Sequence, residues 1–96
     1  MLSNLKQGIS ECIEAGVRGF FHDAGQIPPI ILDIPQDKNH GEFSCNIALQ
    51  SARILKKSPM ELATAFVAVI SRKLQESGFG DRIERVDVKH PGFINF

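Results

Sequence analysis

Net charge is the first thing this chain lacks: its 11 lysines and arginines are cancelled by 11 aspartates and glutamates. The molecule as a whole therefore carries no strong electrostatic footprint for nucleic acid, and any such binding has to use a local patch or the help of other domains. Cysteine is scarce as well. Cys12 and Cys45 are the only two; they form no disulfide framework and read as reduced thiols in a cytosolic protein. No apolar run approaches the ~20 residues that span a bilayer, and Met1 to Lys6 lacks the apolar block of a signal peptide. The expectation is cytoplasm, with no membrane partner. A glycine-rich phosphate loop, a nucleotide-binding fingerprint and a pair of catalytic carboxylates are all missing, so the chain does not look like a catalyst. Repeats and low-complexity tracts are absent too.

What remains is 96 residues, 43% of them hydrophobic and 23% charged, enough for one small domain with one core. Leu2, Leu5, Ile9, Cys12, Ile13, Val17, Phe20 and Phe21 recur every three or four positions, which predicts an amphipathic helix from Leu2 to about His22, weakened by Gly8 and Gly16. Pro28-Pro29 bars a restart. Ile30 to Ile34 reads as a short strand with Ile30, Leu32 and Ile34 on one face, stopped by Pro35. Gln36 to His40 is a polar loop, and Gly41-Glu42-Phe43 a second brief strand. Ser44 is placed as the cap of a helix from Cys45 to about Lys57.

Ser58-Pro59-Met60-Glu61 is the clearest start signal: serine at the cap, proline in the first turn, glutamate three residues after the serine. The helix that follows runs through Leu62, Ala65, Phe66, Val69, Ile70 and Leu74 and stops near Gly78. Ile83 to Lys89 reads as a strand with Val86 and Val88 facing inward, and Pro91-Gly92 turns the chain into a last strand. The order α-β-β-α-α-β-β predicts an α+β fold: a two-layer sandwich, an antiparallel four-stranded sheet with the helices on one face. The chain stops at Phe96 in the middle of that strand, which suggests a piece of a longer protein.

Three sets of residues carry possible chemistry. On the last strand Phe93 and Asn95 share one face, and Ile94 and Phe96 the other. The aliphatic face suits a core. A ring beside an amide suits stacking a base and reading its edge, with His90 just before the turn. It suits equally a hairpin with Phe93 packed at the sheet edge. His40 and Cys45 lack an orienting third group and an oxyanion hole, so a thiol nucleophile is disfavoured; His22, His40, Cys45 and His90 lack the close spacing of a zinc site. Arg53, Lys56 and Lys57 lie at three- and four-residue spacing, on one helix face, as a solvated surface or as phosphate contacts; Arg72 and Lys73 follow on the next helix.

Taken in order, Gly41-Glu42-Phe43-Ser44-Cys45-Asn46-Ile47-Ala48-Leu49, Ser58-Pro59-Met60-Glu61-Leu62-Ala63 and Pro91-Gly92-Phe93-Ile94-Asn95-Phe96 resemble the N-terminal additional domain of arginyl-tRNA synthetases. Glu42 stands where that family often has aspartate, and Ser44-Cys45 precede the asparagine. The resemblance implies the α+β arrangement above and a domain that reaches the elbow of tRNA(Arg) and contacts the D-loop, including the base at its tip. It implies Phe93 for stacking, Asn95 for hydrogen bonding to the base edge, and His90 as a third contact. It also implies a downstream catalytic domain of the same chain, which would use ATP and Mg2+ to attach arginine. The two adenylate-site signatures of that domain, of the "HIGH" and "KMSKS" kind, are absent here, so this stretch alone holds no cofactor and does not charge tRNA. The competing expectation is a non-catalytic packing or protein-interaction module without base contact.

Overall fold

The computed structural model describes residues 2–35, 42–80, 82, 83 and 85–96. Three helices, α1 (Leu2–Val17), α2 (Ile47–Leu55) and α3 (Pro59–Glu76), cover one face of a four-stranded sheet built from β1 (Leu32–Asp33), β2 (Ser44–Cys45), β3 (Asp87–Lys89) and β4 (Phe93–Asn95). The strand order is β1-β2-β4-β3 and every pairing is antiparallel. This is the expected α+β sandwich in the expected element order.

The helices form where the sequence repeats at helical spacing. In α1, Leu5, Ile9, Cys12, Ile13 and Val17 are buried, one stripe against the core. The helix ends at Val17 and the chain continues as a 3-10 turn over Arg18–Phe20, short of the predicted His22. That turn seats the Phe20 ring edge-on against Phe66, with centroids 5.0 Å apart. Gly16 serves close approach: a Cβ there would lie 3.3 Å from the Ile70 nitrogen and from Val69, so α1 crosses α3 nearly backbone to backbone. The predicted cap of α3 is present, with the Glu61 N–H donating to Ser58 Oγ at 3.1 Å and proline in the first turn. Beyond its last turn the chain reverses at Gly78, whose φ is +84°.

The strands depart further from expectation. β1 pairs over two residues only, so alternation fails outside them: Leu32 is buried, but Ile34, predicted beside it, is 77% exposed. The start of α2 and the strand before it shift as well. Ser44 and Cys45 bridge β1 and β4 within the sheet, and Asn46 takes the cap position of α2 without a side-chain cap bond. Ser44 is therefore a strand residue, held extended by ladders on both sides. β3 starts at Asp87 instead of Ile83, though Val86 and Val88 do pack against the core as expected. The loop expected at 36–40, with His40, and the Gly41 start of the second strand lie outside the described residues. Among the described residues, no helix is long and apolar enough to cross a membrane.

Candidate nucleic-acid interface

The hairpin of β3 and β4 positions the residues singled out in the sequence. Its register sets Lys89 opposite Phe93, Val88 opposite Ile94 and Asp87 opposite Asn95. The Gly92 N–H donates to the Lys89 carbonyl at 2.9 Å and closes the turn, in which the His90–Pro91 peptide is cis. Ile94 is fully buried and Phe96 is buried beside Phe43, with which it exchanges backbone hydrogen bonds. Alternation then puts Phe93 and Asn95 on the sheet face away from the helices, as expected.

Their surroundings differ. Phe93 is 36% exposed and has a strand partner on the β3 side alone, because β2 leaves its ladder with β4 after Cys45. Asn95 has Ser44 on one side and Asp87 on the other and is 7% exposed. The open amide expected from the sequence is thus a nearly covered one, on an inner strand with neighbours at both flanks. The row that crosses the outer face at this level is Asp33, Ser44, Asn95, Asp87. Asp87 is held by Arg85, Nε to Oδ2 at 2.7 Å.

The basic residues reach this end of the molecule by another route. Arg53 lies in the last turn of α2, but the helix stops at Leu55 and Lys56 turns left-handed at φ 56°. Lys56 and Lys57 therefore do not share a helix face with Arg53; they form the exposed turn between α2 and α3. The reason is the start of α3: Ser58 must be extended to cap it. Gly92 packs against this junction so closely that a Cβ would sit 2.8 Å from Pro59 Cβ and 3.4 Å from Leu49 Cγ. The contact brings the hairpin turn, with exposed His90, next to the 56–59 turn. Lys73 pairs with Glu76 at 3.6 Å and lies about 20 Å along α3 from Pro59, so Lys73 and its neighbour Arg72 are not part of this group.

Other chemistry finds little support. Burial pushes the Cys45 thiol up to about 11, reinforced by the Asp33 carboxylate and opposed by the Ile47 backbone N–H, which keeps it protonated and a poor nucleophile. Cys12 Sγ lies 3.6 Å from Ser77 Oγ. Among the described residues no three His, Cys, Asp or Glu side chains gather as metal ligands. A cleft of about 380 Å³ lies between α1 and the 27–30 segment, lined in part by Glu11 and Glu14, carboxylates that disfavour phosphate there. Two features of this face escaped sequence reasoning, the position of Lys89 and the close packing of Gly92 on Pro59. Lys89 becomes visible only once the register is known, although four residues from Phe93 across a Pro-Gly turn is the spacing that produces it.

Phe93 and Lys89 lie within a stretch that matches a known family. Residues 3–96 match the family described as "Arginyl tRNA synthetase N terminal domain". The chain belongs to that family. Similar proteins include an arginine–tRNA ligase of Geobacillus kaustophilus, 37% identical over 97 residues, covering 100% of this chain and 16% of that protein. The arginine–tRNA ligase of Bacillus pumilus is 40% identical over 86 residues, 90% of this chain and 14% of that protein. That of Shouchella clausii is 45% identical over 71 residues, 74% of this chain and 12% of that protein. The chain thus spans only 12–16% of the length of these relatives.

Proposed function

We propose that this chain is the tRNA-binding domain of an arginine–tRNA ligase and that it recognises the D-loop at the elbow of tRNA(Arg). In this reading Phe93 stacks on an unpaired loop base, the reachable edge of the Asn95 amide hydrogen-bonds to that base, and His90 lines the contact from the turn. Arg53, Lys56 and Lys57 meet the phosphate backbone. Attachment of arginine, with ATP and Mg2+, belongs to a catalytic domain elsewhere in the same protein, and the cytoplasm is where both would work. One observation carries the reading: the Phe93 ring is left open on the helix-free face while every other row of β4 is covered. Unstacked loop bases are recognised by rings placed this way.

Steady-state aminoacylation by the full-length protein tests it. A stacked base contributes ~1–3 kcal/mol, so Phe93→Ala raises KM for tRNA(Arg) about 5- to 150-fold, and kcat at saturating tRNA stays close to wild type. Wild-type KM values in both Phe93→Ala and Asn95→Ala would reject this face. A second reading draws on the 7% exposure of Asn95: the outer face packs against another domain, and the amide serves a backbone group. It predicts that both variants lose stability in parallel with any change in KM.

A further inference from the structure

We infer that Lys89 is the phosphate contact that orients a nucleotide stacked on Phe93, with the nucleic-acid backbone crossing the sheet at its β3 edge; this rests on the stacking reading above. Lys89 is directly opposite Phe93 in the β3–β4 ladder, and residues so placed on one face have Cβ atoms about 4.5–5.5 Å apart. β3 is an edge strand and Lys89 is exposed, so its four-carbon stem swings past the rim of the ring. The other cation of this strand region is already matched, since Arg85 is clamped on Asp87 at 2.7 Å. Among the described residues Lys89 has no carboxylate within the 4.0 Å of an ion pair.

The adjacent row of the outer face is less favourable to a phosphate, because it carries the Asp33 carboxylate and an Asp87 already occupied by Arg85. One row beyond Phe93, in the direction of Asn95, the face carries Asp87 at the β3 edge and Asp33 at the β1 edge. In the other direction lies the hairpin turn, which Gly92 holds against Pro59, and thus close to Lys56 and Lys57. The charge therefore changes along the face, from basic at the turn to the Asp33 carboxylate and the Arg85-paired Asp87 in the row of Asn95. A base lying on Phe93 has its sugar and phosphate drawn toward Lys89 and the turn, which leaves its opposite edge toward Asn95. Lys89 positions the ligand; the amide reads it.

The dependence of tRNA(Arg) affinity on salt, measured by equilibrium binding to the full-length protein, separates this from the stacking reading. Each neutralised phosphate adds about 0.7–0.9 to the slope of log K against log salt. Lys89→Ala is expected to lower that slope by about this amount and to weaken binding about fivefold at 0.1 M salt, with an unchanged melting temperature, and Lys89→Arg restores the slope. Phe93→Ala weakens binding with the slope unchanged. A wild-type slope in Lys89→Ala overturns the inference whatever the affinity does. If Phe93→Ala and Asn95→Ala bind as wild type while the Lys89→Ala slope falls, the phosphate contact stands and the stacked base is lost.

Discussion

Strand β4 presents two faces made by the same alternation and treated differently by their neighbours. Ile94 is completely buried under the helices, whereas Phe93, one residue earlier, keeps 36% of its surface open. Within the outer face the contrast repeats: Asn95, two residues from Phe93, is nearly covered. Alternation decides which side of a sheet a side chain takes. How open it stays depends on whether strands flank it. β2 accompanies β4 through Asn95 and Ile94 and then leaves the ladder, and Asn46 caps α2 right after it. The ring at 93 is therefore flanked on one side only. The start of a helix, two strands away in sequence, opens the candidate interface.

The largest effect that sharpens this contrast is expected on the inner face. Ile94→Ala removes a fully buried aliphatic side chain between the sheet and α2 and α3, a change that costs about 2–5 kcal/mol. Denaturant unfolding of the full-length protein would register it as an early transition of this domain. A loss under about 1 kcal/mol would mean that Ile94 does not fill the core as described.

That inner face was also the most legible part of the sequence. Helical spacing of Ile9, Ile13 and Val17, the Ser58-Pro59 start signal and the aliphatic alternation of Ile94 and Phe96 are local patterns, and local patterns survive folding. The strands β1 and β2 were less legible because two-residue strands exist only through partners distant in sequence. Ser44 could cap a helix or join a ladder, and cross-strand hydrogen bonds from Leu32, Asp33, Asn95 and Ile94 decide for the ladder. Gly16 and Gly92 look like helix weakening and turn chemistry, but each marks a close approach to another element, which spacing cannot reveal. At the candidate interface the ring was legible, the covering of Asn95 was not, and Lys89 needed the register.

Next in size is a pH effect confined to the inner face. Cys45 sits beside Ile94 across β2 and β4 and is 1% exposed; its pKa is raised from 9.0 to about 11. The folded state then keeps a proton that the unfolded chain releases, so the stability is whole below pH 9 and falls as pH rises through 11. At 1.36 kcal/mol per unit the loss amounts to about 2–3 kcal/mol. Cys45→Ala should flatten this decline. The chain has no tyrosine, so phenol ionisation does not obscure the window, and an equal decline in the variant would show that other groups cause it.

Gly92→Ala probes the joint between the hairpin turn and the 56–59 turn at the candidate interface. The added methyl would meet Pro59 Cβ at 2.8 Å and the Pro59 backbone carbon at 3.4 Å, and a proline ring yields little. Overpacking of this kind costs about 1–3 kcal/mol. The relief available is a shift of the hairpin turn away from the 56–59 turn, so tRNA(Arg) binding should weaken together with stability. Binding that is unaffected in a destabilised Gly92→Ala protein would show that the two turns act independently.

The smallest expected effect is the most telling for the outer face. If Phe93 is held open for a ligand, Phe93→Ala gives up only the part of the ring that the chain already covers and costs about 1 kcal/mol. The same substitution in a ring packed by another domain costs several times more. Asn95→Ala separates the two cases again, because a nearly covered amide that serves a backbone group leaves that group unpaired, at about 1–3 kcal/mol. Small losses in both variants, alongside a raised KM for tRNA, would assign the ring and the amide to recognition. A small loss for Phe93→Ala with a large one for Asn95→Ala would split the pair, leaving the ring to meet the base and the amide to hold the strand.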